Sequence, residues 1–171
     1  ANPAEDATPP KTPRKTPNYF QPEELALIQQ AFDEAPTKWR TLGYLFMNYG
    51  DRRSEFAGIK RQNVDFRRHQ ILISGSVLYH PRKGTYEKPY PKNEKARYLP
   101  MTPTIEAILK EHLAWLDAEK EKWGDLWIDS DYIFTAAKGG PMNPDTITKY
   151  FGRMSKLRQK ENPDFPHINP H

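Results

Sequence analysis

The segment Gly50–Glu55, which reads GDRRSE, decides the fold because it places the end of one helix beside the start of another. Apolar residues recur at helical spacing across residues 39–49, and Gly50 follows where a left-handed C-terminal cap is required. A short further helix is predicted to begin near Arg52. The sequence therefore predicts that Arg52 lies at a rigid junction between two helices, which can hold a guanidinium group in a fixed direction.

Taken alone, this segment is typical of a helix stop followed by a solvated helix start. Two later features favour a functional interpretation, because Lys92 lies on a predicted basic β-hairpin and Asn169-Pro170-His171 closes the sequence. A guanidinium group can bind two oxygens of a phosphate at once, and a lysine can give a proton to a departing oxygen. An arginine, a lysine and a histidine in this order indicate chemistry on a phosphate group.

Composition limits the classes of protein that fit. The length of 171 residues suits one domain with a core, and 36% hydrophobic and 12% aromatic residues indicate a folded chain. The excess of 26 basic over 22 acidic residues is small but compatible with nucleic acid. The absence of cysteine excludes disulfides, thiolate metal sites and cysteine nucleophiles.

The sequence carries no pattern for a metal, a nucleotide or a membrane. The five histidines are scattered along the chain, and His112 lies on an apolar helical stripe that indicates a half-buried structural residue. Lys138-Gly139-Gly140 is an ordinary turn and not a nucleotide loop. No apolar run approaches the roughly 20 residues of a membrane helix. We therefore expect no cofactor, no metal and a cytoplasmic location.

The predicted elements indicate an α+β fold that is mainly helical with a small antiparallel sheet or hairpin. Residues 1–18 are rich in proline and lysine and are predicted to be an extended linker between domains, or a basic strap along a DNA backbone. Residues 70–101 alternate as β structure, with a break at Gly75 and a turn at Gly84. Helices are predicted to start at Pro22, after Pro36, at Thr102-Pro103 and at Asn143-Pro144.

Three motifs follow one another on matching elements, and shorter segments accompany them. The motifs are Gly50-x-Arg52-x-x-Glu55, Pro91-Lys92-x-x-Lys95-x-Arg97-x-x-Pro100 and Asn169-Pro170-His171, with Lys38-Trp39-Arg40 and Trp127-Ile128-Asp129 as supporting segments.

Together these motifs resemble the catalytic domain of the tyrosine recombinases, or phage integrases, and most of all the integrases of Gram-positive conjugative transposons and prophages. The resemblance covers residues 18–171, so a catalytic domain is expected over residues 19–171. It implies that Arg52 contacts the scissile phosphate, that Lys92 protonates the leaving 5′ oxygen and that His171 assists proton transfer. It also implies that Glu55 supports the site without touching the phosphate.

The resemblance further implies an enzyme that integrates a mobile element by cutting and rejoining double-stranded DNA through a 3′-phosphotyrosyl bond, without ATP or metal. The family pattern continues after the histidine with a second arginine and the nucleophilic tyrosine, whereas this sequence ends at His171. We therefore expect the 171 residues alone to be inactive and monomeric. The complete enzyme is expected to form a tetramer on its attachment sites in the bacterial nucleoid, with an excisionase and a host DNA-bending protein as possible partners.

Further basic residues are candidates for sequence-independent contacts to DNA phosphates, although a solvated charge is the simpler interpretation of each one. They are Lys60, Arg61, Arg82, Lys83, Lys95 and Arg97.

Three other functions stay open from the sequence. A type IB topoisomerase or a telomere resolvase would share the same three catalytic residues. A non-catalytic DNA-binding module would use Arg52 and Lys92 as plain phosphate contacts, and a helical interaction domain would leave them solvated. A structure with Arg52 and His171 on opposite faces would exclude the recombinase interpretation.

Overall fold

The structure of the protein is a computed structural model that describes residues 19–89 and 96–170. Within that part the architecture is mainly helical with small antiparallel sheets, as the sequence predicts. The predicted linker at residues 1–18 lies outside the described residues. The five helices of the described part are α1 (Pro22–Asp33), α2 (Thr37–Tyr49), α3 (Arg53–Ala57), α4 (Pro103–Trp123) and α5 (Asp145–Glu161), with single 3-10 turns at Arg61–Asn63 and Gly124–Leu126.

The strands form a three-stranded sheet and a separate hairpin. In the sheet, β1 (Val64–Asp65) and β5 (Arg97–Pro100) flank β2 (Gln70–Ile73), and both pair with it antiparallel. The hairpin consists of β3 (Gly75–His80) and β4 (Gly84–Pro89), with Gly84 at a φ of 71° where the chain turns.

The break predicted at Gly75 falls one residue earlier, at Ser74, and separates β2 from β3, which belong to different sheets. The end of α3 approaches the start of β3 closely, because a Cβ atom on Gly58 would lie only 3.1 Å from Ser76 Cα and 3.3 Å from Gly75 O. Residues 132–134 form no strand. Tyr132 makes instead one isolated antiparallel bridge to Lys60.

The helix ends follow the local sequence. Gly50 has a φ of 65° and its backbone N–H donates to Phe46 O at 3.0 Å, which confirms the left-handed cap of α2. At the start of α4, Thr102 Oγ1 accepts a hydrogen bond from Ile105 N at 3.3 Å, and Pro103 occupies the first helical position. The segment that carries Arg52 is therefore fixed by the end of α2 and by the start of α3.

Phe151 on α5 is the centre of an aromatic core. It is fully buried, and its ring centroid lies 5.4 Å from that of Phe32 and 6.1 Å from that of Phe46. Phe46 in turn contacts Phe56 on α3 with the centroids 4.8 Å apart. Because Phe56 directly follows Glu55, this packing anchors the short helix next to Arg52.

His112 is a structural residue, as predicted, but it is fully buried and not half-buried. Its Nε2 atom donates to Ile133 O at 2.7 Å, and its ring stacks on Trp115 and Phe134. Burial lowers the pKa of His112 to about 4.

Within residues 19–89 and 96–170, every helix is too short or too polar to cross a bilayer.

Candidate active site

Arg52 presents its side chain to solvent from a rigid position. It is the N-cap residue of α3, with extended backbone angles, and it follows the left-handed Gly50 by two residues. The side chain is 73% exposed. Backbone geometry on both sides is therefore fixed while the guanidinium group is open to a ligand.

Glu55 lies behind Arg52 and is almost completely buried. Its Oε2 atom accepts a hydrogen bond from the backbone N of Arg52 at 3.1 Å, which caps the start of α3. Its Oε1 atom lies 4.0 Å from Arg52 Nη1. Glu55 thus holds the backbone of Arg52 and places a negative charge near the guanidinium group.

Arg53, the neighbour of Arg52, serves a different purpose. Its guanidinium group donates to Thr148 Oγ1 and lies 2.9 Å from Asp145 Oδ1, so it ties α3 to the first turn of α5. Of the two consecutive arginines, only Arg52 faces solvent without such a partner on α5. The structure thus assigns the exposed guanidinium group of this segment to Arg52.

Arg97 joins the same region from strand β5. Its Nη2 atom lies 2.7 Å from Asp51 Oδ1 and 2.8 Å from Glu55 Oε2, and its Nη1 atom lies 3.3 Å from Glu55 Oε1. The sequence interpretation made Arg97 a contact to DNA. That contact stays a prediction, and the structure shows that the side chain, which is 39% exposed, places its guanidinium group against two carboxylates of the site.

The end of the described chain also reaches this junction. Ile168 N donates to Ser155 Oγ at 2.9 Å, which attaches the terminal segment to α5. Ile168, Asn169 and Pro170 line a cavity of about 280 Å³ together with Gly50 and Asp51. The residues directly before His171 therefore lie beside the residues directly before Arg52.

Three predicted site residues lie outside the described residues. Lys92 and Lys95 fall in the connection between β4 and β5, and His171 is the last residue of the sequence. Their positions relative to Arg52 stay predictions.

The other predicted DNA contacts divide into two groups. Lys60 Nζ lies 2.8 Å from one carboxylate oxygen of Glu87 and 3.0 Å from the other, and this hydrogen bond lowers the pKa of Glu87. Arg61 is paired with Asp117. Arg82 and Lys83 are exposed in the turn between β3 and β4, and within the described part of the chain neither has an acidic partner within 4.0 Å. DNA phosphates would have to compete with carboxylates for Lys60 and Arg61, but not for Arg82 and Lys83.

Metal chemistry has no evident ligands here. Among residues 19–89 and 96–170 no three His, Asp or Glu side chains are grouped so that they could hold an ion. The site as described consists of an exposed arginine, two carboxylates and a second arginine.

Comparison with known proteins identifies the family of the chain. The model of the Phage integrase family matches residues 18–171. The chain belongs to this family.

Individual members of the phage integrase family show the same fold at low identity. The tyrosine recombinase XerA of Thermococcus onnurineus (strain NA1) is 26% identical over 118 residues, which is 69% of this chain and 36% of the relative. The Tn1549 transposon integrase in complex with transposon right end DNA is 20% identical with a TM-score of 0.77, over 98% of this chain and 53% of that one. The crystal structure of XerA recombinase gives a TM-score of 0.65 at 19% identity, over 96% of this chain and 48% of that one. The chain thus spans about half the length of these structures, or less.

Sequence reasoning missed two features of the candidate site. Asp51 was not recognised as part of it, and the contacts of Arg97 with Glu55 and Asp51 were not foreseen. The sequence signal that could have revealed both features was Asp51, which directly precedes Arg52. A carboxylate that is buried at a helix junction requires a cationic partner.

Proposed function

We propose that residues 19–171 are the catalytic domain of a site-specific recombinase that cuts and rejoins double-stranded DNA through a 3′-phosphotyrosyl intermediate, for the integration of a mobile element. The observation that carries this proposal is the exposed guanidinium group of Arg52, fixed at the start of α3 by the buried Glu55. Membership of the phage integrase family supports it.

The chemistry that we propose is an in-line displacement at phosphorus. Arg52 binds non-bridging oxygens of the scissile phosphate and offsets the negative charge that builds up in the transition state. A tyrosine from the part of the family pattern that follows His171 attacks phosphorus as its hydroxyl proton is removed, and the bond to the 5′ oxygen breaks. Lys92 gives a proton to that oxygen, and His171 assists proton transfer and holds a phosphate oxygen. The phosphotyrosyl bond retains the energy of the phosphodiester bond, so the same steps in reverse order can rejoin the strands.

The wider assembly belongs to the same proposal. Residues 1–18 would connect the catalytic domain to a preceding domain along the DNA, and four subunits would act together on the attachment sites. An excisionase and a host DNA-bending protein would complete the complex in the bacterial nucleoid. The likeness to a transposon integrase that was solved with transposon end DNA supports DNA as the partner.

Covalent trapping tests the proposal. The experiment uses a full recombinase polypeptide, meaning one that carries residues 1–171 followed by the second arginine and the tyrosine of the family pattern. On a nicked suicide substrate it should form a complex that survives denaturing electrophoresis. Arg52→Lys and Arg52→Ala should each reduce this complex by about 10³-fold or more, because an ammonium group cannot reproduce the two-point contact of a guanidinium group.

The control is Arg158→Gln, which removes a different surface ion pair, to Glu34, and should leave trapping unchanged. Melting temperatures should show that the Arg52 variants still fold, since that side chain is exposed. Unchanged trapping by Arg52→Ala would contradict the proposal. So would a covalent adduct on the 171-residue chain alone, because one of its own nine tyrosines would then be the nucleophile.

A further inference from the structure

Two carboxylates, those of Glu55 and Asp51, lie in the candidate site, although one carboxylate is enough to support Arg52. Glu55 and Asp51 both have largely buried side chains, at 5% and 15% exposure. Arg97 contacts both of them through three hydrogen bonds, two of which reach the two oxygens of Glu55. Such a paired contact fixes the plane of the carboxylate as well as its charge.

We propose that Arg97 is a positioning residue for the recombinase reaction, which occupies Glu55 and Asp51 so that the guanidinium group of Arg52 stays available to the scissile phosphate. This inference rests on the function proposed above, and it replaces the assignment of Arg97 as a DNA contact.

Arg52 and Arg97 compete for the carboxylate of Glu55. Its Oε1 atom is 4.0 Å from Arg52 Nη1, which is just beyond a direct hydrogen bond. A small rotation of the exposed Arg52 side chain would bring the two groups into a paired ion bridge. With Arg97 in place, both oxygens of Glu55 already accept from it, at 2.8 and 3.3 Å. Without Arg97, the carboxylate would attract Arg52 away from the position in which it meets a phosphate.

Asp51 adds to the same effect. Its Oδ1 atom accepts from Arg97 at 2.7 Å, whereas its Oδ2 atom is buried and has no hydrogen-bond partner among the residues that the structure describes. A buried carboxylate that loses its cation is strongly unfavourable, so it would also draw a neighbouring cation towards it. Arg52 is the adjacent residue in the chain.

The backbone of Arg97 is well placed to hold this arrangement. Arg97 is the first residue of β5, where it lies opposite Ile73 of the central strand β2. Ile73 is buried in the core. The strand therefore anchors the guanidinium group from outside the helical segment that it stabilises, and β5 directly follows the connection that contains Lys92.

The first test measures single-turnover cleavage in the full recombinase polypeptide. Arg97→Gln should slow formation of the covalent complex by about 100-fold at saturating DNA, where a change in affinity does not contribute. In Arg97→Gln combined with Glu55→Gln, where Arg52 is again available to the phosphate, the slope of log affinity against log salt should equal that of wild type, whereas the loss of a phosphate contact made by Arg97 itself would reduce it by about 0.9. Arg158→Gln serves again as the control that removes an arginine from an ion pair elsewhere.

Rescue variants separate positioning from a general loss of structure. In Arg97→Gln with Glu55→Gln, the amide oxygen can still accept from Arg52 N but no charge competes for its guanidinium group. Cleavage should recover at least tenfold relative to Arg97→Gln alone. Arg97→Lys should lie between wild type and Arg97→Gln, because an ammonium group keeps the charge but not the paired geometry. If Arg97→Gln unfolds, Arg97→Lys supplies the same comparison.

The second test does not depend on the tyrosine chemistry. In the 171-residue chain labelled with ¹⁵N-arginine, the Nε–H signal of Arg52 is followed during titration with inorganic phosphate. Arg97→Gln should weaken phosphate binding at Arg52 at least tenfold. A wild-type polypeptide that traps no DNA would refute the proposed function but leave this measurement valid. Wild-type cleavage and wild-type phosphate binding in Arg97→Gln, a salt slope below that of wild type in the double variant, or no rescue by Glu55→Gln would each overturn the role of Arg97.

Discussion

The indole ring of Trp39 on α2 lies parallel to the phenol ring of Tyr150 on α5, with the ring centroids 3.9 Å apart and an interplanar angle of 5°. Tyr150 also meets Phe151 edge to face, with the centroids 5.6 Å apart. Burial raises the pKa of Tyr150. These contacts make Tyr150 a packing residue between two helices, and they make it unsuitable as a nucleophile.

Substitutions of Tyr150 should separate its ring from its hydroxyl group. Tyr150→Phe should change the free energy of unfolding by less than about 0.5 kcal/mol. Tyr150→Ala should lower it by about 2 kcal/mol, because the half-buried ring and its stacking are lost. Urea unfolding of the 171-residue chain measures both values. If Tyr150→Phe removed covalent trapping in the full recombinase polypeptide, the assignment of this residue to packing would be wrong.

Lys92 should be required only when the leaving oxygen needs a proton. Lys92→Ala should slow cleavage of an ordinary DNA substrate by about 10²-fold or more, which is the usual contribution of a general acid. A substrate with a 5′-bridging sulfur should be cleaved at nearly the wild-type rate, since a thiolate departs without protonation. The same sulfur substrate should not rescue Arg52→Ala, because the role proposed for Arg52 is to bind the non-bridging oxygens and not to assist the leaving group. Equal defects of Lys92→Ala on both substrates would remove Lys92 from the role of acid.

Duplex DNA binding should depend on salt through the turn between β3 and β4. Arg82 and Lys83 are exposed there, so their charges are available without the loss of an ion pair. Arg82→Gln with Lys83→Gln should reduce the slope of log affinity against log salt by about 1.8, which corresponds to two phosphate contacts. Lys156→Gln with Lys160→Gln, two exposed lysines of α5, removes the same charge as a control. Equal slopes for the two double variants would show that the effect is one of net charge alone.

His112 should make stability depend on pH in mildly acidic solution. Burial holds its pKa at about 4 in the folded protein, against an ordinary value of 6.5. The unfolded chain therefore binds a proton first, so stability is complete above pH 6.5 and falls as the pH decreases towards 4. The loss should be on the order of 3 kcal/mol.

Urea unfolding between neutral pH and pH 4 checks this dependence on His112. His112→Gln is the matched variant, because its amide can still donate towards Ile133 O but does not titrate. Its stability should be lower at neutral pH and should change less over the same range. An equally steep decrease in the variant would assign the pH dependence to other groups.

Several features of the site could be predicted from local sequence alone. The cap at Gly50, the helix start after Arg52, the cap at Thr102 and the proline at position 103 depend on the backbone preferences of a few neighbouring residues. The apolar stripe of α4 placed His112 in helix packing for the same reason. Only the degree of burial of His112 was underestimated, because a periodic pattern shows which face is inward but not how completely it is covered.

The sequence by itself determined the local elements and the order of the catalytic motifs, since both depend on residue type and spacing along the chain. Tertiary structure alone decided the partners of the charged residues. Arg52 and Arg53 are adjacent and chemically identical, yet one faces solvent and the other binds α5, about 95 residues away in the chain. Arg97 reaches Glu55 across 42 residues because β5 pairs with β2, while α3 packs against β3, the strand that follows β2. Ion pairs of this kind follow from the placement of whole elements, and no short-range pattern encodes them.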